Sequence, residues 1–396
     1  MYDTLVVGAG PAGNHAARRL AGQNYKVAVL EEHEGVGKST CCTGIVGTEC
    51  FARFELSRGA ILGEARSAKF ISPSGKIVEL RRKAVQAYIV DRDIFDSDLA
   101  RRAKEAGAEY FLGTKVERIE VSGSRVSIET TTCGHRKTFE GRTAVIATGF
   151  GCRLPETLGM GKVGDYIAGA QAEVDSPGLE ETELYFGQSV APGFFAWLVP
   201  TTPGKALAGL FSRKNPGAHL GTLLQRLYQA GKIRSVDVEF SYGAIPLKPL
   251  PRSYCERVLV VGDAAGQVKP TSGGGVYYGL IGADLAAQVL GKALSNGDMS
   301  AGMLSQYEQA WAKVMLHELH VGYFARMLYG RLSDGQIDKV FDIVQSNGLH
   351  ELLLREESSD FDWHSGLVLK GLAHGAVKGT LRAFRNSLPF FGASRG

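Results

Sequence analysis

The sequence predicts an α/β protein: a Rossmann-like dinucleotide-binding domain with an inserted antiparallel β-sheet and a helical C-terminus. Three observations predict it. Residues 3–31 read as an apolar strand, a glycine turn, a helix and a second apolar strand that ends on an acid. Residues 257–290 read as another buried strand, a glycine-rich loop and a small-residue helix. Between them, from Ile167 to Phe240, lie short apolar runs separated by Pro and Gly, the pattern of antiparallel strands.

In the first unit Leu5–Val7 stops at Gly8, and Gly8, Gly10 and Gly13 complete a G-x-G-x-x-G. Glycines here let the backbone approach a pyrophosphate. The helix that opens at Pro11 and Ala12 supplies free N–H groups and a positive dipole end. The second strand, Val27–Leu30, delivers Glu31 where it can bind ribose hydroxyls. Gly159-Met160-Gly161-Lys162-Val163-Gly164 fits the same pattern, but no strand precedes it and no acid follows, so it reads as a loop.

Glycines crowd the turn region from Glu34 to Gly47, around Cys41-Cys42-Thr43. Such density suits either backbone lying against a ligand or a flexible connector. Residues 66–90 read as two strands joined by the turn Ser72–Gly75. Asp91–Ala106 is a helix by the spacing of Phe95, Leu99 and Ala103, stopped by Gly107. Arg92 at its start is placed either to pair with a cofactor phosphate or to face solvent. Residues 115–146 alternate as a meander that includes Val116, and Val145–Thr148 runs into a turn at Gly149.

The return segment, Arg257–Asp263, ends on an acid that is a second candidate ribose binder. The triple glycine Gly273-Gly274-Gly275 then precedes the helix Val276–Leu290, which invites a backbone contact to a ligand. From Ala301 the chain reads as helical, with Trp311, Met315, Leu319 and Gly322 on one stripe. An acidic, linker-like run from Glu351 to Asp362 precedes a final helix candidate, Trp363–Phe391.

Composition narrows the class. The chain has 396 residues, 44% of them hydrophobic, and a net charge of +4, too mild to invoke nucleic acid. No stretch approaches the roughly 20 apolar residues of a membrane span. The N-terminus enters a strand at once, which leaves no room for a signal peptide. Six cysteines without a C-x-x-C pair make neither a disulfide framework nor a zinc or iron–sulfur site. These features predict a cytoplasmic protein with no bound metal.

Two dinucleotide-contacting segments, far apart in sequence, suggest one extended FAD gripped at both ends by one domain. A separate NAD(P) domain would need its own strand, glycine turn, helix and acid, and none is present. The expected division is a discontinuous FAD-binding domain of 1–165 and 241–300, an antiparallel substrate domain of 166–240, and a helical region of 301–396. Asp263, Gly273, Gly274 and Gly275 would contact one end of the cofactor. Gly8, Gly10, Pro11, Ala12, Gly13 and Glu31 would contact the other, with Arg92, Val116 and Gly149 completing the set.

From Thr4 to about Leu290 the chain resembles the geranylgeranyl reductase family of flavoproteins, which shares the glutathione reductase/p-hydroxybenzoate hydroxylase-type fold. The first glycine motif with Glu31 is similar to the family's FAD-binding start, and Val90–Asp96 resembles its Arg segment near the FAD phosphates. Gly262–Gly266 with Pro270–Tyr278 is very like its flavin-proximal loop. Pro192–Pro200 is similar to its P-x-x-Y-x-W-x-F-P motif, with Phe195 in place of Tyr and Val199 in place of Phe. Alternation along that strand puts Phe195, Trp197 and Val199 on one face, fit to line an apolar pocket. Cys42-Thr43-Gly44 resembles the family's C-x-G, which implies a catalytic Cys42 beside the flavin.

The resemblance implies FAD-dependent reduction of isoprenoid double bonds, by hydride transfer from flavin N5. Phe195, Trp197, Val199 and Pro200 would hold the substrate. The implied substrates are geranylgeranyl lipids, chlorophyll precursors, quinones or diphosphates, and the electron donor is NAD(P)H or ferredoxin-type. A monooxygenase or halogenase on the same fold, or an electron-transferring flavoprotein, is the alternative. The basic residues Lys370, Lys378, Arg382, Arg385 and Arg395 alternate with apolar ones, which suggests peripheral contact with a membrane.

Overall fold

The computed structural model describes residues 1–37, 41–346, 361–366 and 368. Its larger sheet is built around Tyr2–Val7. The strand order is Tyr254–Cys255, Val258–Val260, His135–Ile146, Tyr2–Val7, Val27–Leu30 and Glu109–Phe111. All neighbours are parallel except the first pair. Successive side chains on these strands point to opposite faces, and both faces are covered. Val6, Val29, Val145 and Leu259 pack under the helices Pro11–Ala21, Arg92–Glu105 and Val276–Asn296. Leu5, Val7, Leu30, Ile146 and Val260 pack under a meander formed by Thr114–Ser122, Arg125–Thr132 and His135–Ile146. This burial on both sides explains why the strands read as unbroken apolar runs.

The second sheet has seven strands in the order Ser241–Pro246, Tyr166–Asp175, Lys205–Ser212, Phe195–Pro200, Thr182–Phe186, Ser67–Ile71 and Ile77–Arg81. It therefore draws strands from both sides of the expected 166–240 block. The hairpin of Ser67–Ile71 and Ile77–Arg81 joins it in parallel register, Ala68 opposite Thr182, and Phe70 stacks on Phe186 at 6.1 Å. A helix not foreseen from the sequence, Pro216–Gln229, covers its outer face. Leu220, Leu223 and Leu224 of that helix pack on Ala196, Leu198, Ala208 and Leu210. The inner face turns toward a small three-stranded sheet of Ile45–Gly47, Ala87–Val90 and Ile61–Ala65.

The helices Ala301–Trp311 and His317–Tyr329 are joined by a π-turn, Ala312–Leu316. Trp311, Met315 and Leu319 are buried along one stripe, as the spacing predicts. No helix among the described residues is long and apolar enough to cross a membrane. The basic segment after Val368 lies outside the described residues, as does most of the expected final helix.

A second expectation is corrected. Asp362, read as the end of an exposed linker, is buried in an ion pair with Lys269 Nζ at 2.6 Å. Around it, Tyr278 OH donates to the Asp362 carbonyl, Trp363 Nε1 donates to Glu49, and the backbone N–H groups of His364 and Ser365 donate to Glu318. A run rich in acids reads as solvated, but a single buried partner reverses that reading at one position.

His364 in this segment is neutral. Its Nε2–H donates to the Phe361 carbonyl at 2.8 Å, which leaves Nδ1 to accept from Thr271 Oγ1 at 2.7 Å. Burial, and then the charge of Lys269, push its pKa down to about 4. Because the unfolded chain protonates first, this histidine's contribution is present above its ordinary pKa and is lost as the pH falls through 4. That loss should amount to roughly 3–3.5 kcal/mol. His364→Gln keeps the donor and removes the titration. Urea unfolding across this pH window should therefore fall less steeply for the variant than for wild type, and equal slopes would contradict the assignment.

Candidate active site

The turn between the first strand and the first helix is shaped by close approach. Gly8 has φ +100°, and a Cβ there would sit 2.5 Å from the Ala147 carbonyl oxygen; a Cβ on Gly13 would strike the Gly8 carbonyl. A Cβ on Gly10 would meet nothing within 4 Å. Gly8 and Gly13 thus let strand and helix touch, whereas Gly10 opens outward. The helix Pro11–Ala21 carries no side-chain cap and no acid in its first turn, so its N-terminal amides, at Ala12 and beyond, keep their pull on an anion.

Glu31 sits at the tip of its strand. Its Oε2 accepts from the Ala9 N–H at 2.7 Å, and its Oε1 accepts from His33 N and His33 Nδ1 at 3.0 and 2.6 Å. The carboxylate therefore also braces the turn it faces. The Thr114 N–H donates to the Glu31 carbonyl, which brings the strand carrying Val116 alongside. Gly149 lies beyond Ile146, next to Thr148, whose buried Oγ1 has no partner.

Arg92 opens the helix Arg92–Glu105, which Asp91 caps through the N–H groups of Asp93 and Ile94. Its guanidinium is forked onto Asp96, Nε to Oδ1 at 3.2 Å and Nη2 to Oδ2 at 2.9 Å, and it also faces the Cys42 sulfur. Burial opposes the charge on Arg92, but Cys42 and Asp96 outweigh it and hold the pKa above its ordinary value. Arg92 is therefore no loose surface cation; a carboxylate and a thiol already flank it. Asp263 stands across the same space. Burial raises its carboxyl to about 6, against the pull of Arg92.

The glycine loop is tightly built. A Cβ on Gly273 (φ +81°) would lie 2.9 Å from the Phe211 ring. One on Gly274 would lie 2.7 Å from Lys269 Cε, and one on Gly275 2.6 Å from Asp263 Oδ1. The helix Val276–Asn296 then begins uncapped, and the buried Ser272 Oγ has no partner. Cys42 lies in the segment between the sheets. Its sulfur accepts from the Gly44 N–H at 3.4 Å, while Thr43 donates to Gln171 of the second sheet.

On the inner face of that sheet, Phe195, Trp197 and Val199 cluster with Ile45, Ile89, Leu184 and Phe211. Ala196 and Leu198 point the other way, into the packing under the Pro216–Gln229 helix. Gly209 on the neighbouring strand leaves room for the indole, since a Cβ there would sit 2.5 Å from Trp197 Cζ2. The Trp197 Nε1 is buried without a partner. Pro200 closes the strand, half-exposed. Phe211 joins the two halves of the site: it lies against Gly273, and its ring centroid is 5.2 Å from that of Trp197. Sequence reasoning missed Phe211, Ile89, Leu184 and Gly209, because their roles come from pairing between strands distant in the chain.

The residues present fit a flavin. Two uncapped helix starts, the open space at Gly10 and the unpartnered buried hydroxyls of Thr148 and Ser272 suit a phosphate-bearing ligand, and Phe211 links the second start to the apolar cluster around Trp197. Fold and site together define a flavin-dependent oxidoreductase. Residues 2–177 match the pyridine nucleotide-disulphide oxidoreductase family. The digeranylgeranylglycerophospholipid reductase of Methanocaldococcus jannaschii is 30% identical over 360 residues, covering 87% of this chain and 90% of that protein. The chain belongs to the digeranylgeranylglycerophospholipid reductase family. The protein of the same name from Methanothrix thermoacetophila is 28% identical, covering 89% and 94% of the two chains. The crystal structure of a geranylgeranyl bacteriochlorophyll reductase-like protein from Thermoplasma acidophilum superposes with TM-score 0.85 at 23% identity, covering 98% and 99% of the chains.

The glycine geometry separates folding from binding. Gly10→Ala should change unfolding free energy by no more than about 1 kcal/mol, since the methyl meets no protein atom. It should weaken flavin binding about tenfold or more, roughly 1.4 kcal/mol. Gly13→Ala should destabilise the fold itself. Flavin titration and thermal melts of both variants check this; Gly10→Ala with wild-type affinity would place the ligand elsewhere.

Proposed function

We propose that this protein binds FAD between the two glycine-lined helix starts and reduces carbon–carbon double bonds of isoprenoid chains on lipids. The observation that carries this reading is the apolar wall of Phe195, Trp197 and Val199, joined through Phe211 to the Gly273–Gly275 loop. Membership of a family named for reduction of digeranylgeranylglycerophospholipids supports it.

When bound and reduced, the flavin supplies a hydride to one carbon of the double bond. The chain's own residues do the rest. The backbone at Gly10–Gly13 and Gly273–Gly275 binds the cofactor, with Glu31 and Asp263 placed for its hydroxyl groups. Trp197, Phe195 and Val199, with Pro200 at the strand end, grip the hydrocarbon and exclude water. Each methylene they bury contributes about 0.8 kcal/mol, so a long chain gains affinity with length. Cys42 Sγ, fixed by the Gly44 N–H, would give the second carbon its proton, and Arg92 would stabilise the thiolate that remains until solvent reprotonates it. An external donor returns the electrons; NAD(P)H and a ferredoxin-type carrier both meet that need.

Mass spectrometry of a geranylgeranyl lipid incubated anaerobically with dithionite-reduced holoenzyme tests the reading. The lipid should gain about two mass units per double bond reduced, one hydride and one proton. Unchanged lipid, with FAD bound and reduced, would overturn it. Trp197→Ala should raise KM for a long-chain substrate about tenfold or more while leaving FAD content near one per chain. Parallel loss of FAD and activity would make this strand a packing element rather than a substrate wall.

A further inference from the structure

Arg326 lies on the His317–Tyr329 helix and is buried, yet its three polar contacts are all backbone carbonyls. Nε donates to the Pro270 carbonyl at 3.2 Å and Nη2 to the Thr271 carbonyl at 2.5 Å; Nη1 donates to the Gly193 carbonyl at 3.0 Å. The guanidinium carbon lies over the Phe194 ring, 3.4 Å from its centroid. One turn earlier, Gly322 brings the helix backbone against the same loop, since a Cβ there would sit 3.2 Å from Pro270 Cδ. Burial pushes the Arg326 pKa down to about 9, which leaves it charged at neutral pH.

The carbonyls it joins belong to the two halves of the site. Pro270 and Thr271 lie one residue before Gly273–Gly275, and Gly193 lies one residue before the strand Phe195–Pro200 that carries Phe195, Trp197 and Val199. Burying a cation without a carboxylate is costly, and an apolar side chain of similar length would fill the space. What an apolar side chain cannot do is hold three carbonyls from two separate segments in one plane. The planar fork of a guanidinium does so, and a lysine ammonium does not.

We propose that Arg326 is a positioning residue that fixes the spacing between the flavin-contacting loop and the substrate wall, and so between hydride donor and acceptor. Transfer is steep in distance and orientation, so a loosened spacing lowers turnover before it lowers stability. The inference rests on the functional reading above. It adds a residue that touches neither ligand and acts through Pro270, Thr271 and Gly193.

The test compares full-length Arg326→Met and Arg326→Lys with wild type by four measurements. These are FAD affinity of the apoprotein, the visible circular dichroism of bound FAD with and without a geranylgeranyl lipid, anaerobic kcat and KM at saturating FAD, and the thermal midpoint. Arg326→Met fills the volume but leaves three carbonyls without their donor, so its midpoint should fall by a few degrees while the fold persists. It should bind FAD more weakly, lose the dichroism response to lipid, and fall about tenfold or more in kcat even with FAD saturating. Arg326→Lys should show the same losses, and it serves if the Met variant does not fold. In Arg326→Ala, millimolar guanidinium should restore kcat where equal sodium chloride does not. Wild-type kcat and dichroism response in both variants, or full recovery of kcat by excess FAD alone, would overturn the proposal. FAD affinity needs no turnover, so a wild type that bound FAD but reduced no isoprenoid would count against the functional reading while the variants still decided this one.

Discussion

The buried pair of Lys269 and Asp362 is the contact on which the site most depends. Both side chains are about as inaccessible as charges become in a folded protein, at 4% and 3% exposure. Desolvating them is expensive, and removing either partner strands the other at a typical cost of about 3–5 kcal/mol. The pair sits directly behind the glycine loop. The Lys269 N–H donates to the Gly274 carbonyl, and the Gly273 N–H donates to the Lys269 carbonyl. A loop made of glycines has little stiffness of its own. Here its shape is imposed from behind by Lys269–Asp362, by Thr271–His364 and by Arg326.

The same economy appears at the first glycine turn. Gly8 and Gly13 are consumed in strand–helix contact, Glu31 ties back the Ala9 amide, and Gly10 alone faces outward. Both glycine loops are thus braced by contacts from the protein behind them. That arrangement leaves backbone N–H groups at both helix starts uncapped, with Glu31 beside the first and Asp263 beside the second. The second sheet then contributes what the first cannot, a buried apolar cluster of Phe195, Trp197 and Val199. Phe211 is where the two meet.

Much of this was legible in the sequence, for local reasons. A strand, a glycine turn, a helix and an acid lie within a few dozen residues of one another, so Gly8, Gly10, Gly13 and Glu31 announce themselves. The period-two alternation of Phe195, Trp197 and Val199 assigns their face without a structure. The hairpin at Ser67–Arg81 could not be assigned to its sheet, because its partner, Thr182–Phe186, is chosen by pairing far along the chain. Asp362 read as linker because a carboxylate in an acidic run is nearly always solvated, and its lysine lies 93 residues away. Arg326 gave no signal, since three backbone carbonyls leave no trace in a pattern of side chains.

Reduction of an isoprenoid double bond draws its electrons from the bound flavin. Its most direct test follows the visible absorbance of the flavin after anaerobic mixing of reduced holoenzyme with a geranylgeranyl lipid, with no other acceptor present. The account predicts that the oxidised flavin spectrum returns in step with loss of lipid unsaturation, and that a fully saturated lipid of the same headgroup leaves the flavin reduced. A flavin that stays reduced with both lipids, yet reoxidises once oxygen is admitted, would contradict it.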